Sequence, residues 1–155
     1  MLATARMLAG GMEDDEAIAR VCLEFVRDWI RHSGDHRDGV VTCRASEVLR
    51  EGTSWCYAKS HLPVALLRAN SIPAGLAYQR LGCSEYRPGI FCLHGLNWIY
   101  LKRYGWYWVD PRGNKPWVST PNLTLPWSVW PLCPRGRSTT WRATIPIRCR
   151  RCWRR

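Results

Sequence analysis

Residues 111–155 contain no aspartate or glutamate: all 12 carboxylates lie at or before Asp110, and Asp110 is the only one beyond Glu85. Carboxylate chemistry late in the chain therefore has a single candidate. No stretch approaches the roughly 18 to 20 consecutive apolar residues of a membrane span, so no membrane partner is expected. The opening segment, Met1 to Gly11, is alanine-rich and weakly helical with Arg6 inside it. It lacks an apolar run of signal-peptide length, so secretion is not suggested, and it reads as short because it enters almost directly on the first long helix. The eight cysteines show no spacing of a small disulfide scaffold, which fits a reducing cytoplasm. His32 and His36 have no cysteine at ligand spacing, so no metal is expected there, and no cofactor is expected either. The length allows one domain.

What is present centres on Thr53 to Asn70, TSWCYAKSHLPVALLRAN. Thr53 and Ser54 read as a polar capping pair and Cys56 falls in the first helical turn. Ala58, Leu62, Ala65, Leu66 and Ala69 then recur at three- and four-residue intervals, the pattern of a helix pressed on a core. A cysteine at a helix start faces unpaired N–H groups and the positive end of the helix dipole, both of which favour the thiolate.

His94 stands at the entrance to the apolar run Leu96 to Leu101. After the turn Lys102 to Gly105, Trp106 to Val109 forms a second run, so the two read as an antiparallel hairpin ending on Asp110. A thiolate needs a base to take its proton and return it to a leaving group, and that imidazole needs a carboxylate to fix its tautomer. Cys56, His94 and Asp110 can supply all three. The Cys56 N–H is the expected oxyanion donor. Gln79 and Asn97 are side-chain candidates for a second donor, although each is more commonly a plain hydrogen-bonded strand residue. Trp98, Trp106 and Trp108 are expected to pack in the core or on one face of the hairpin, ahead of lining an acceptor groove.

These blocks resemble the transglutaminase-like superfamily, and within it the bacterial transglutaminase-like cysteine proteases, over about residues 14–117. TSWCYAKSHLPVALLRANSIPAG, the strand AYQRL, FCLHGLNWIYL and WYWVDPRGNK follow its pattern in order. The resemblance implies an α+β fold with a papain-like/transglutaminase-like core, its nucleophile helix packed on an antiparallel sheet. It implies Cys56 as nucleophile, His94 as base and Asp110 as orienter, acting on a peptide or protein amide by cysteine-dependent acyl transfer or hydrolysis. Three positions depart from the pattern. Ser54 stands where the family usually has a glycine before the cysteine, Ser71 where it has the glycine of an NGIPAG turn, and Pro63 where a leucine continues the helix. In one unbroken helix Pro63 would remove a bond to Lys59 and cost about 3 kcal/mol. Ser71 costs less, and only if the backbone there needs positive φ.

Elsewhere, Glu13 to Glu16 opens an amphipathic helix with Ile18, Val21, Cys22, Phe25, Val26 and Trp29 on one face. Gly34 to Asp38 reads as a turn or loop, Ala45 to Leu49 as a helical turn, Leu76 to Leu81 as a strand and Cys83 to Pro88 as a loop.

Residues 1–110 hold 13 Lys+Arg and residues 111–155 the other 10, together with five of the ten tryptophans and seven of the ten prolines. No helix or strand period persists there. Arginines interleaved with tryptophans would attract polyanions without sequence preference, and the single pair Cys149 and Cys152 is too few for a tetrahedral metal site. The composition is also that of a GC-rich gene read out of frame. With permitted codons, Val118 to Pro131 reads in the neighbouring frame as DAQFDPPVERLA, the kind of stretch with which the resembled family continues. The chain is thus expected to divide into a transglutaminase-like domain at 1–117, truncated at both ends, and a disordered, out-of-frame basic tail at 118–155. A thiol enzyme is the first expectation for its function; an inactive truncated remnant and a basic polyanion-binding protein are the alternatives.

Overall fold

A computed structural model describes residues 1–82 and 91–112. Helix α1 (Leu2–Ala9) ends on Gly10 in the left-handed conformation. Helix α2 (Asp15–Trp29) begins where the Asp14 carboxylate accepts the Ala17 N–H at 2.9 Å, so the acidic cluster supplies a cap as well as charge at the positive helix end. The buried face of α2 is Ile18, Ala19, Cys22 and Val26. Trp29, expected on that face, is 74% exposed and stacks on Phe25 with ring centroids 6.4 Å apart. The cause is positional: the helix stops at Trp29, the next residue turns extended, and Ile30 enters the core in its place.

Strand β1 (Arg31–His32) pairs in parallel with β2 (Thr53–Ser54). Between them run α3 (Ser33–His36), where a turn was expected, and α4 (Ala45–Glu51), whose Glu47 carboxylate accepts the Cys43 and Arg44 N–H groups at 3.0 Å. Thr53 and Ser54 are therefore strand residues and not helix caps. The residue at the cap of α5 (Cys56–Lys59) is Trp55, with no side-chain bond.

The stretch after Cys56 is not one helix. It divides at Ser60 into α5 and α6 (His61–Ala69), which places Pro63 in the first turn of α6. N–H groups of a first turn lack intrahelical partners in any case, so the full interior cost expected for Pro63 is avoided. At the junction the Ser60 carbonyl accepts the buried Asn97 amide at 2.8 Å. Helix α6 buries Leu62, Pro63, Val64, Leu66 and Leu67, and Ser71 just after it has φ 61°, the positive value that makes glycine the easier residue there.

Strands β3 (Ala74–Gly82), β4 (Phe91–Leu101) and β5 (Gly105–Val109) form an antiparallel sheet in that order. This gives the expected α+β arrangement of helices against an antiparallel sheet. Because β4 begins at Phe91, His94 lies within the strand and not at its entrance. Ile99 and Leu101 are fully buried. On the alternate positions Trp98 meets Trp108 at 4.5 Å and Tyr100 meets Trp106 at 5.5 Å between centroids, a cross-strand aromatic ladder on one face of the hairpin.

Among the described residues no helix is long and apolar enough to cross a membrane. The expected loop at Cys83 to Pro88 and the whole tail at 118–155, with its frame, polyanion and cysteine-pair readings, lie outside the described residues.

Candidate active site

Two contacts bring the start of α5 onto β4. Pairing of β2 with β1 fixes Ser54 two residues ahead of Cys56. On the other side, a Cβ at Gly95 would stand 2.7 Å from the Tyr57 Cα and 2.8 Å from the Cys56 carbonyl oxygen, so helix and strand approach at a distance that requires glycine. The protonated Cys56 thiol donates to the Leu93 carbonyl at 3.5 Å.

His94, buried in β4, has its Nε2 at 2.8 Å from Asp110 Oδ2. That bond puts the Nε2 proton on the carboxylate side and leaves Nδ1 for the thiol. The other Asp110 oxygen accepts the Arg112 N–H at 2.8 Å, which holds the carboxylate at the end of β5. The structure therefore brings Cys56, His94 and Asp110 together in the order the chemistry needs.

Burial pushes the Cys56 thiol up, but the neighbouring His32 and His94 rings and the Gly95 N–H outweigh it, and the pKa falls from 9.0 to about 6. Burial likewise pulls His94 down, and its bonds to Asp110 and Cys56 reverse this, raising it from 6.5 to about 9. Both shifts run toward a thiolate beside an imidazolium, a charge pair in which a cysteine sulfur can act as a nucleophile.

The side-chain donors proposed for an oxyanion fare differently. Asn97 is fully buried and committed to the Ser60 carbonyl. Gln79 lies opposite His94 in the β3–β4 register, so the two side chains leave the same face of the sheet. Lys59 is 3% exposed and donates to the Ile30 and Arg27 carbonyls at 2.6 and 3.2 Å, tying the end of α2 to α5. Burial and the nearby Arg112 lower it from 10.5 to about 8, against the pull of Asp110 and Asp28.

His32, considered from the sequence only as a metal ligand and not expected to be one, lies beside the thiol. Its arrival depends on a two-residue strand pair that no periodicity announces. Gly95, in contrast, had a readable signal: a lone glycine inside an apolar strand marks a close approach by another backbone. Among the described residues no group of three or more His, Cys, Asp or Glu side chains is placed to hold a metal ion.

The profile of the transglutaminase-like superfamily matches residues 3–111. Two solved structures share the fold. One is a candidate cysteine protease from Cytophaga hutchinsonii, 18% identical with a TM-score of 0.56 over 72% of this chain and 36% of that one. The other is a candidate protease from Parabacteroides distasonis, 13% identical with a TM-score of 0.51 over 70% of this chain and 22% of that one. The chain thus spans 36% and 22% of the lengths of these two relatives. No curated protein matches it. A profile running from α1 through the end of the β5 hairpin, together with this helix-on-sheet arrangement, establishes that the chain belongs to the transglutaminase-like superfamily.

Proposed function

We propose that this domain carries out thiol-dependent acyl transfer on a peptide or protein amide, with water as the acceptor. The observation that carries the reading is the His94 Nε2 to Asp110 Oδ2 bond of 2.8 Å on an imidazole whose other side addresses Cys56. In the forward step the Cys56 thiolate attacks the carbonyl carbon and a tetrahedral oxyanion forms. The Cys56 backbone N–H at the start of α5 is the donor available to it. Collapse breaks the C–N bond, and the His94 imidazolium gives its proton to the departing amine. Neutral His94 then takes a proton from water, which attacks the thioester and returns the thiolate. Asp110 holds the His94 tautomer through both halves.

Hydrolysis is preferred over transamidation because both solved relatives carry protease names. The test is an assay of peptide hydrolysis and of amine incorporation, using glutamine-containing and general peptides, with Cys56→Ala as control. Hydrolysis lost in the control supports the reading. Amine incorporation exceeding hydrolysis changes the acceptor, and a cooperatively folded chain with no turnover of either kind identifies an inactive remnant.

A further inference from the structure

Two histidine rings neighbour the Cys56 thiol, and each stands beside an aspartate. The first is His94 with Asp110. The second is His32, whose Nδ1 is 3.4 Å from Asp35 Oδ1. Arg112 joins the two pairs: its backbone N–H bonds Asp110 at 2.8 Å and its guanidinium Nη2 reaches both Asp35 oxygens at 3.2 Å.

The His32 ring is 8% exposed. It is boxed against Trp55, edge to face at 5.6 Å, and a Cβ at Gly34 would come within 3.0 Å of both rings. Neither ring nitrogen makes a well-formed hydrogen bond. A buried polar group left in this state is costly unless something engages it during function. The pocket behind the ring is walled by Arg27, Asp28, Arg31, His36, Lys59 and Arg112. The three arginines there are taken by Asp28, Asp38 and Asp35, and Lys59 by two carbonyls. Among the described residues, Asp35 at 3.4 Å and the Cys56 sulfur are polar groups set against the ring.

We propose that His32 is a second active-site histidine, which donates a hydrogen bond to negative charge on the Cys56 sulfur while His94 alone transfers protons. This rests on the acyl-transfer reading above. The ring nitrogen that faces the sulfur carries the N–H in this role. During attack the sulfur electron pair forms the S–C bond and that N–H loses its anion. During thioester hydrolysis the C–S pair returns to sulfur, and the same N–H receives it. No proton leaves His32 in either half, so the two imidazoles have separable roles.

The experiment is the rate of iodoacetamide alkylation of Cys56 against pH, read by peptide mapping on the full chain, for the parent, His32→Ala, His32→Gln and Asp35→Asn, each checked for folding by circular dichroism. His32→Ala should move the alkylation midpoint up by about one pH unit and lower kcat/KM at least about tenfold. His32→Gln, a neutral donor that cannot act as a base, should recover part of both losses, and Asp35→Asn should shift the midpoint in the same direction by less. If His32→Ala does not fold, the other two variants carry the test. A folded His32 variant set whose alkylation profiles overlay the parent overturns the proposal, as does a His32→Gln chain as inactive as His94→Ala. Alkylation needs no turnover, so shifted profiles in a chain that hydrolyses nothing would uphold His32 while sinking the hydrolase reading.

Discussion

Gly95 in β4 faces Tyr57 in α5 so closely that a methyl group added at Gly95 would sit 2.7 Å from the Tyr57 Cα. The three nearest obstructing atoms are all backbone, so no side-chain rotation can make room. Gly95→Ala should therefore push α5 away from β4, separating Cys56 from the His94 backbone neighbour and from the Gly95 N–H that helps hold its thiolate. The expected cost is about 1 to 3 kcal/mol of stability. In the parent, Cys56 should alkylate faster than the exposed Cys92 and than Cys22, whose burial pushes its thiol up to about 11, and Gly95→Ala should remove that preference. Denaturant unfolding and timed iodoacetamide mapping measure the two effects separately. A stable variant with an unchanged labelling order would contradict this reading of the helix–strand contact.

The pH dependence of turnover should be bell-shaped. Below about 6 the Cys56 thiolate takes up a proton and the nucleophile is lost; above about 9 His94 gives up the proton that the leaving amine needs. Burial alone would pull His94 down, and the Asp110 bond is the largest contribution holding it up. Asp110→Asn should accordingly move the alkaline limb to lower pH while lowering the maximum. A profile of kcat/KM against pH for both proteins gives the answer, and an alkaline limb that stays in place in the variant would remove Asp110 from its role.

Cys56, His94 and Asp110 were legible because each sits on an element with a clear period or turn: an apolar helical stripe, an apolar strand run, a hairpin ending in Asp-Pro. The residues around them were not, for a physical reason in each case. His32 reaches the thiol through a β1–β2 ladder two residues long, too short to leave a pattern. The stretch after Cys56 divides at Ser60, which puts Pro63 in a first turn, so the local sequence pointed to strain where the chain had a geometric escape. Trp29 matched the apolar stripe of α2 but falls at the last residue of the helix, beyond the reach of the core. Thr53 and Ser54 have cap chemistry, yet pairing with β1 claims their backbone first.

Ser71 offers a test of a family departure that the backbone makes unfavourable. Its φ of 61° costs a residue with a Cβ roughly 1 to 2 kcal/mol, whereas glycine carries about 0.5 to 1 kcal/mol of extra unfolded-state freedom. The strain is the larger of the two, so Ser71→Gly should stabilise the chain by about 0.5 to 1 kcal/mol. The midpoint of urea unfolding should rise with no change in slope. A fall in midpoint would mean that the serine side chain makes an interaction worth more than the strain.

The final prediction concerns the reading frame. The described core ends with Asp110 held by His94 and Arg112 and with Pro111 fully buried. In the frame as given, residues 113–155 bring nine basic and no acidic side chains. In the neighbouring frame from Val118 they bring DAQFDPPVERLA, which restores carboxylates and a phenylalanine to a region with neither. We expect the frame-restored chain to unfold at higher denaturant, by about 2 kcal/mol or more against a total domain stability of roughly 5 to 15 kcal/mol, and to turn over amide substrates faster at equal Cys56 alkylation. Genomic sequencing across the codons for Trp117 to Ser119 shows which frame is encoded. Expression of both forms, with denaturant titration and peptide hydrolysis, then tests the consequence. Equal stability and equal turnover in the two forms would show that the tail contributes nothing to the site, and the out-of-frame interpretation would lose its functional weight.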